Sequence, residues 1–179
     1  MTEDTEKLSW NHFEKVRTAR YRINMSWSYL FGWIEEHECN LDPSWQRFHV
    51  WNTYQQRRYI EWCLKGGASG REFYFNDPDW FKGERGKMVL VDGKQRIRAI
   101  ERFMHDELEV FGGVKRSNFK KRLGMQSCCG CLINVNDFKK ESEVIQWYID
   151  NNSGGSAHTE DEIVKAKVLL KKALEEETK

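Results

Sequence analysis

Residues 89–103 read VLVDGKQRIRAIERF, and how this stretch divides decides what the chain can fold into. From Met88 to Val91 every residue is apolar, the mark of a strand covered on both faces, whereas Ile97, Ile100 and Phe103 recur at helical spacing. A strand therefore becomes a helix at Asp92-Gly93. The flanks alternate in the same way. Residues 20–25, RYRINM, read as a short strand, with Ser26 as the N-cap of a helix running to about His37. An extended segment follows from Leu41 to Pro43, because a proline disfavours helix at the residue before it. Thr53 with Gln56 makes a capping-box pattern before YQQRRYIEWCLK, which Gly66-Gly67 terminates.

Downstream, REFYFND reads as an aromatic strand, followed by an exposed, glycine-containing loop carrying Trp80 and Phe81. LEVFGG and CLINVN read as two further strands separated by the basic stretch KRSNFKKRLG. Residues 140–150 read as a helix with Val144, Trp147 and Tyr148 inward. Asn152-Ser153-Gly154-Gly155 then reads as the turn before a last helix, capped by Thr159 with Glu162 and striped by Ile163, Ala166, Leu170 and Leu174.

The global numbers fit one α+β domain. A chain of 179 residues with 39% apolar content can bury one ordinary core, which we place at residues 20–179 behind an N-terminal extension, residues 1–19. With 29 basic against 28 acidic residues, the net charge of +1 advertises neither nucleic acid nor an anionic membrane, so any polyanion site must be local. MTEDTEKLSW lacks a basic region followed by an apolar run, and no stretch approaches the roughly 18 apolar residues of a membrane span. A cytoplasmic protein with no membrane partner is expected. Five cysteines, three of them in Cys128-Cys129-Gly130-Cys131, do not resemble a secreted disulfide framework. CCxC also lacks the CxxC geometry of ordinary zinc modules, so small thiols buried in a strand are expected rather than zinc. Eight tryptophans with two prolines suit a small core built on large aromatics.

Polar residues collect at three turns. At Asp92-Gly93-Lys94-Gln95-Arg96 a helix N-terminus offers unpaired amides and a partial positive charge, a glycine allows close approach, and Lys94 and Arg96 add cations suited to phosphate or carboxylate. Asp92 there either caps the helix or holds a metal ion or water; spacing alone leaves both open. Gln46-Arg47 follows a proline among Trp45, Phe48 and Trp51, where the arginine either covers those rings or reaches into a cleft. Asn152-Ser153-Gly154-Gly155 is a second anion-receptive turn or an ordinary helix connection. Lys115, Arg116, Lys120, Lys121 and Arg122, with Phe119 interleaved, form the one dense cationic run, either a solvated face or a track for a nucleic-acid backbone.

Taken in order, LDPSWQRFHVW, VLVDGKQRIRAIERF, and INVN leading to WYIDNNSGGSAHTEDEI resemble the domain of unknown function at the N-terminus of GmrSD-type modification-dependent restriction proteins. That family belongs to the ParB/sulfiredoxin-like superfamily. Its pattern is Pro-x-x-Gln-Arg-x-x-x-Trp, then a strand ending in Asp-Gly-Gln-Gln-Arg, then Asn-x-Gly-Gly followed by an acidic residue. Pro43, Gln46, Arg47 and Trp51 match the first; Asp92, Gly93, Gln95 and Arg96 the second; Asn152, Gly154, Gly155 and Glu162 the third. The likeness covers residues 20–170.

The resemblance implies a compact domain with a small mixed sheet flanked by helices and a long C-terminal helix. It also implies binding, and Mg²⁺-dependent hydrolysis, of a nucleoside triphosphate in connection with DNA and restriction or anti-restriction. On that carry-over Gly93, Lys94, Gln46 and Arg47 would hold phosphate and Asn152, Gly154 and Gly155 would close the other wall. Asp92, Gln95 and Arg96 would carry catalysis, with Asp92 also holding the metal. The alternative is a non-catalytic module that binds nucleotide or nucleic acid and acts through DNA or through a host or phage protein. Two features depart from the family. Lys94 stands where glutamine is usual, and no nuclease motif precedes the last residue, Lys179.

Overall fold

The structure, a computed structural model, describes residues 21–46, 50–80, 87–119, 129–153 and 160–178. Strand β1 (Tyr21–Ser26) leads directly into helix α1 (Trp27–Glu36). Ser26 takes the N-cap position as its type predicts, but it is buried and its hydroxyl makes no capping bond. Helix α2 (Thr53–Leu64) starts one residue from the pattern expected. Asn52, not Thr53, is the cap: its Oδ1 accepts from Gln55 N at 2.9 Å while Gln55 Oε1 accepts from Asn52 N at 2.9 Å. Asparagine is the stronger cap, and Gln56 is needed inside, where it donates to Trp51 O and accepts from Arg102.

Strands β2 (Glu72–Asn76) and β3 (Val89–Asp92), helix α3 (Lys94–Met104) and strand β4 (Gly130–Asn136) occupy the segments their periodicity predicts. LEVFGG does not form the strand expected of it. An isolated bridge between Val110 and Val114 closes a turn there, and Phe111, Gly112 and Gly113 have φ of 48°, 79° and 132°. Three successive left-handed residues cannot extend a pleated strand. Helix α4 (Glu141–Ser153) runs through Asn152 and Ser153, so those two residues are helical rather than part of a turn, and α5 (Glu160–Glu177) is the long C-terminal helix. Trp80 is half-buried and stacks on Tyr21 at 4.6 Å; Phe81 lies outside the described residues.

The four strands form one mixed sheet in the order β1-β4-β2-β3. β1 is antiparallel to β4, β4 parallel to β2, and β2 antiparallel to β3. Alternation along the strands builds a core on each face. Phe73, Phe75, Leu90, Ile133 and Val135 pack against α1, α2 and α3 through Leu30, Ile60, Ile100 and Phe103, while Val91 and Tyr74 turn the other way onto Val144, Trp147 and Tyr148 of α4. Burying one such aromatic side chain stabilises by about 1.5–3 kcal/mol. Leu90 and Val91 are adjacent, fully buried, and in different cores, which is why MVLV is apolar throughout.

β3 is the sheet's edge, and its neighbour beyond is the segment around Asn40. Asn40 N donates to Met88 O at 2.8 Å and its carbonyl accepts from Leu90 N at 2.9 Å. Among the described residues no helix is long and apolar enough to cross a membrane.

Candidate functional site

The turn from β3 into α3 is built around Gly93. It is the helix N-cap at φ 115°, ψ 4°, a conformation open to glycine, and a Cβ there would lie 2.4 Å from Cδ1 of the fully buried Phe73. Having no side chain, it leaves the first amides of the helix without a side-chain cap. Asp92 and Arg96, one helical turn apart, form an ion pair of 2.6 Å with side chains 35% and 17% exposed, so solvent reaches both partners. The Arg96 guanidinium also lies over the Phe73 ring, 5.5 Å from its centroid. Lys94 pairs with Asp42, and that carboxylate is well exposed.

Gln95 and Gln46 do mechanical work here. Gln95 is buried, and its Oε1 accepts from the amides of Val50 and Trp51 at 2.9 and 3.0 Å. Gln46 is also buried, and its Nε2 donates to Leu90 O and Val91 O at 2.7 and 2.8 Å. With Lys94 on Asp42, these bonds tie Asp42 and Gln46 on one side, and Val50 and Trp51 on the other, to the strand-to-helix turn. The first two segments singled out in the sequence therefore lie side by side. Arg47, Gly154, Gly155, Lys120, Lys121 and Arg122 lie outside the described residues, and Asn152 belongs to the last turn of α4. Lys115 pairs with Glu109 at 3.5 Å, and Arg116 opens a 3₁₀ turn, Arg116–Asn118.

Sequence reasoning did not find Asp42, Phe73, Tyr59 or Gly70 as parts of this neighbourhood. Tyr59 OH donates to Gly70 O at 2.9 Å, and a Cβ at Gly70 would stand 3.4 Å from Tyr59 and 3.9 Å from Arg96. Arg71 donates to Cys63 O at 2.9 Å. Burial pushes the Tyr59 hydroxyl well above its ordinary value, and the positive charge of Arg96 pulls the other way. The Cys63 thiol is likewise raised by burial, against Tyr59, Arg71 and Arg96. Cys131 is pushed up to about 12 by burial, so at both positions burial disfavours the thiolate, the form that attacks as a nucleophile. The only local signal for these partners was Phe73 and Tyr74 following Arg71 in REFYF.

The opposite end of the sheet carries carboxylates. Asp77 is buried, its own desolvation raises its carboxyl, and its Oδ1 accepts from Asp79 N at 3.1 Å. Asp79 takes ion pairs from Lys87 and Lys139. Tyr21 and Cys39 are each pushed up to about 12, first by burial and then by the charge of Asp77. Among the described residues no three histidine, cysteine, aspartate or glutamate side chains gather as metal ligands; Cys128 lies outside them. No family model matches the chain, and no curated protein or solved structure matches it.

Proposed function

We propose that this α+β domain is a nucleotide-binding module of the ParB/sulfiredoxin-like type, taking the phosphates of a nucleoside triphosphate at the turn from Asp92 to Arg96. The observation that carries the reading is Gly93: an 11-residue helix begins there with no side-chain cap, at a residue where no Cβ fits, with Lys94 and Arg96 in the turn that follows. Such a terminus favours an anion through its amides and dipole. Arg96 would exchange the Asp92 carboxylate for phosphate, and Asp92, released, would share Mg²⁺ with the phosphate oxygens, a donor set that suits this ion. The resemblance supports a role tied to DNA and to restriction or anti-restriction.

Hydrolysis is the second reading, with Asp92 or Gln95 positioning water. The commitment of Gln95 Oε1 to two backbone amides favours binding without turnover. The test is thermal stabilisation by each of the four nucleoside triphosphates with and without Mg²⁺, alongside phosphate release. Stabilisation by at least one nucleotide is expected, with affinity falling about tenfold or more in Arg96→Gln, the loss of one charge-assisted bond. No stabilisation by any nucleotide would remove the proposal. Phosphate release abolished in Asp92→Asn would select the enzyme over the binding module.

A further inference from the structure

On the outer side of α2, a groove of about 340 Å³ is lined by Trp51, Tyr54, Gln55, Arg58, Tyr59 and Trp62. Most tryptophans of this chain serve the two cores, as with Trp27, Trp45 and Trp147, but Trp62 is 50% exposed and Tyr54 is 62% exposed. Tyr54, Arg58 and Trp62 succeed one another at four-residue intervals, so they form one stripe with a step of about 6 Å along the helix. The guanidinium of Arg58 lies over the Tyr54 ring at 5.8 Å, and Trp51 packs against Tyr59 at 5.6 Å.

The rings are fixed from beneath. Trp62 donates from Nε1 to Ser69 O at 3.3 Å and lies directly on Gly67, where a Cβ would come within 2.1 Å of the indole. Tyr59 is tethered to Gly70 O. One face of Trp62 is thus seated and the other is open, so little side-chain freedom would be lost on stacking a ligand.

We infer that this groove is a stacking platform for single-stranded nucleic acid. Charge agrees with this occupant: the lining holds one arginine and no carboxylate to repel phosphate, beside four aromatic rings on which bases can stack. Spacing agrees, because the 6 Å step is close to twice the ~3.4 Å rise per nucleotide of stacked DNA, room for bases alternating with side chains. A single nucleotide would engage one ring only, whereas the stripe continues over two helical turns. None of Asp92 to Arg96 lines this groove, so the inference stands apart from phosphate binding at that turn.

The test is anisotropy of a labelled oligothymidylate at low salt with the full chain, its Tyr54→Ala, Trp62→Ala and Gly67→Ala variants, and Arg96→Gln. Gly67→Ala keeps every aromatic but displaces the seated indole. Binding by the wild type is expected, each of the three groove variants losing about fivefold or more, the lower end of one base stack, with the thermal melt unchanged for Tyr54→Ala. Arg96→Gln should bind the oligonucleotide as the wild type does, even if it has lost nucleoside triphosphate. Absence of oligonucleotide binding, or binding by all three groove variants as tight as the wild type's, overturns the inference. So does a groove that takes a proline-rich peptide in place of the oligonucleotide.

Discussion

The two ends of the sheet are both polar, yet they differ in burial and in closure. Where β3 ends, the Lys94–Asp42 and Arg96–Asp92 ion pairs stand at an uncapped helix terminus, in reach of solvent. Where β2 and β4 end, Asp77 is buried, Asp79 is paired with Lys87 and Lys139, and the seam is shut by Asn76, whose Nδ2 donates to Phe138 O at 3.0 Å and whose Oδ1 accepts from Phe138 N at 2.9 Å. Parallel strands commonly direct a ligand to their carboxyl ends. Here that end of the β2–β4 pair is closed by Asn76 over the buried Asp77, and the antiparallel β3 delivers its own carboxyl end to the other side.

The largest effect is expected at the turn itself. Gly93→Ala should destabilise by about 2–5 kcal/mol in urea denaturation, combining left-handed strain with the collision on Phe73. Gly66→Ala separates the two causes, since its φ is +89° but nothing lies within 4 Å of its Cβ position; it should cost only about 1–2 kcal/mol. Equal losses at both glycines would mean that Phe73 does not constrain the turn.

At the closed end, Asn76→Ala should cost about 2 kcal/mol, because both backbone groups of Phe138 lose their partner. Asn76→Asp tests the sign of the charge there. The new carboxylate keeps the acceptor but loses the donor and stands next to Asp77, so its penalty should be greater at neutral pH than in acid.

That contrast was only half written in the sequence. The strand-to-helix junction was legible because MVLV and Ile97-Ile100-Phe103 carry two different periods within a few residues. Those periods report which face is buried. They do not report the partner: Gln95 meets Val50 and Trp51 across 45 and 44 residues, and Lys94 meets Asp42 across 52. Nothing local marks such pairings, so Gln95 reads equally as a water-positioning amide and as a clasp. LEVFGG misled because its alternation suited a strand while its two glycines served a left-handed turn. Trp62 was hidden among eight tryptophans, and only its seat on Gly67 sets it apart.

Gln95 gives the next test, smaller than those before it. Gln95→Ala should cost about 1–2 kcal/mol by releasing the amides of Val50 and Trp51, the first of these exposed enough to find water. Gln95→Glu should recover most of that loss, since a carboxylate keeps both acceptor positions and sits in the first turn of α3 beside Lys94 and Arg96. Amide-to-acid changes at the two ends should thus have different outcomes, tolerated at Gln95 and penalised at Asn76. If both are equally harmful, the charges beside these two amides do not govern stability.

The smallest effect concerns Asp77. Burial raises its carboxyl in the folded chain above the unfolded value of 3.8, so the native state holds the proton more tightly, and stability falls as pH rises through that window. Asp77→Asn keeps an oxygen to accept from Asp79 N and removes the charge. It should therefore stabilise slightly at pH 7, by about 1 kcal/mol or less, with the gain vanishing in acid below both values, where wild-type Asp77 is neutral in either state. Other carboxylates cancel when variant and wild type are compared at each pH. The same substitution should lower the Cys39 thiol from about 12, and only modestly, because burial remains its first cause and the charge of Asp77 its second. Alkylation of Cys39 that is slower in Asp77→Asn than in the wild type would mean that the carboxylate does not set the field at this end of the sheet.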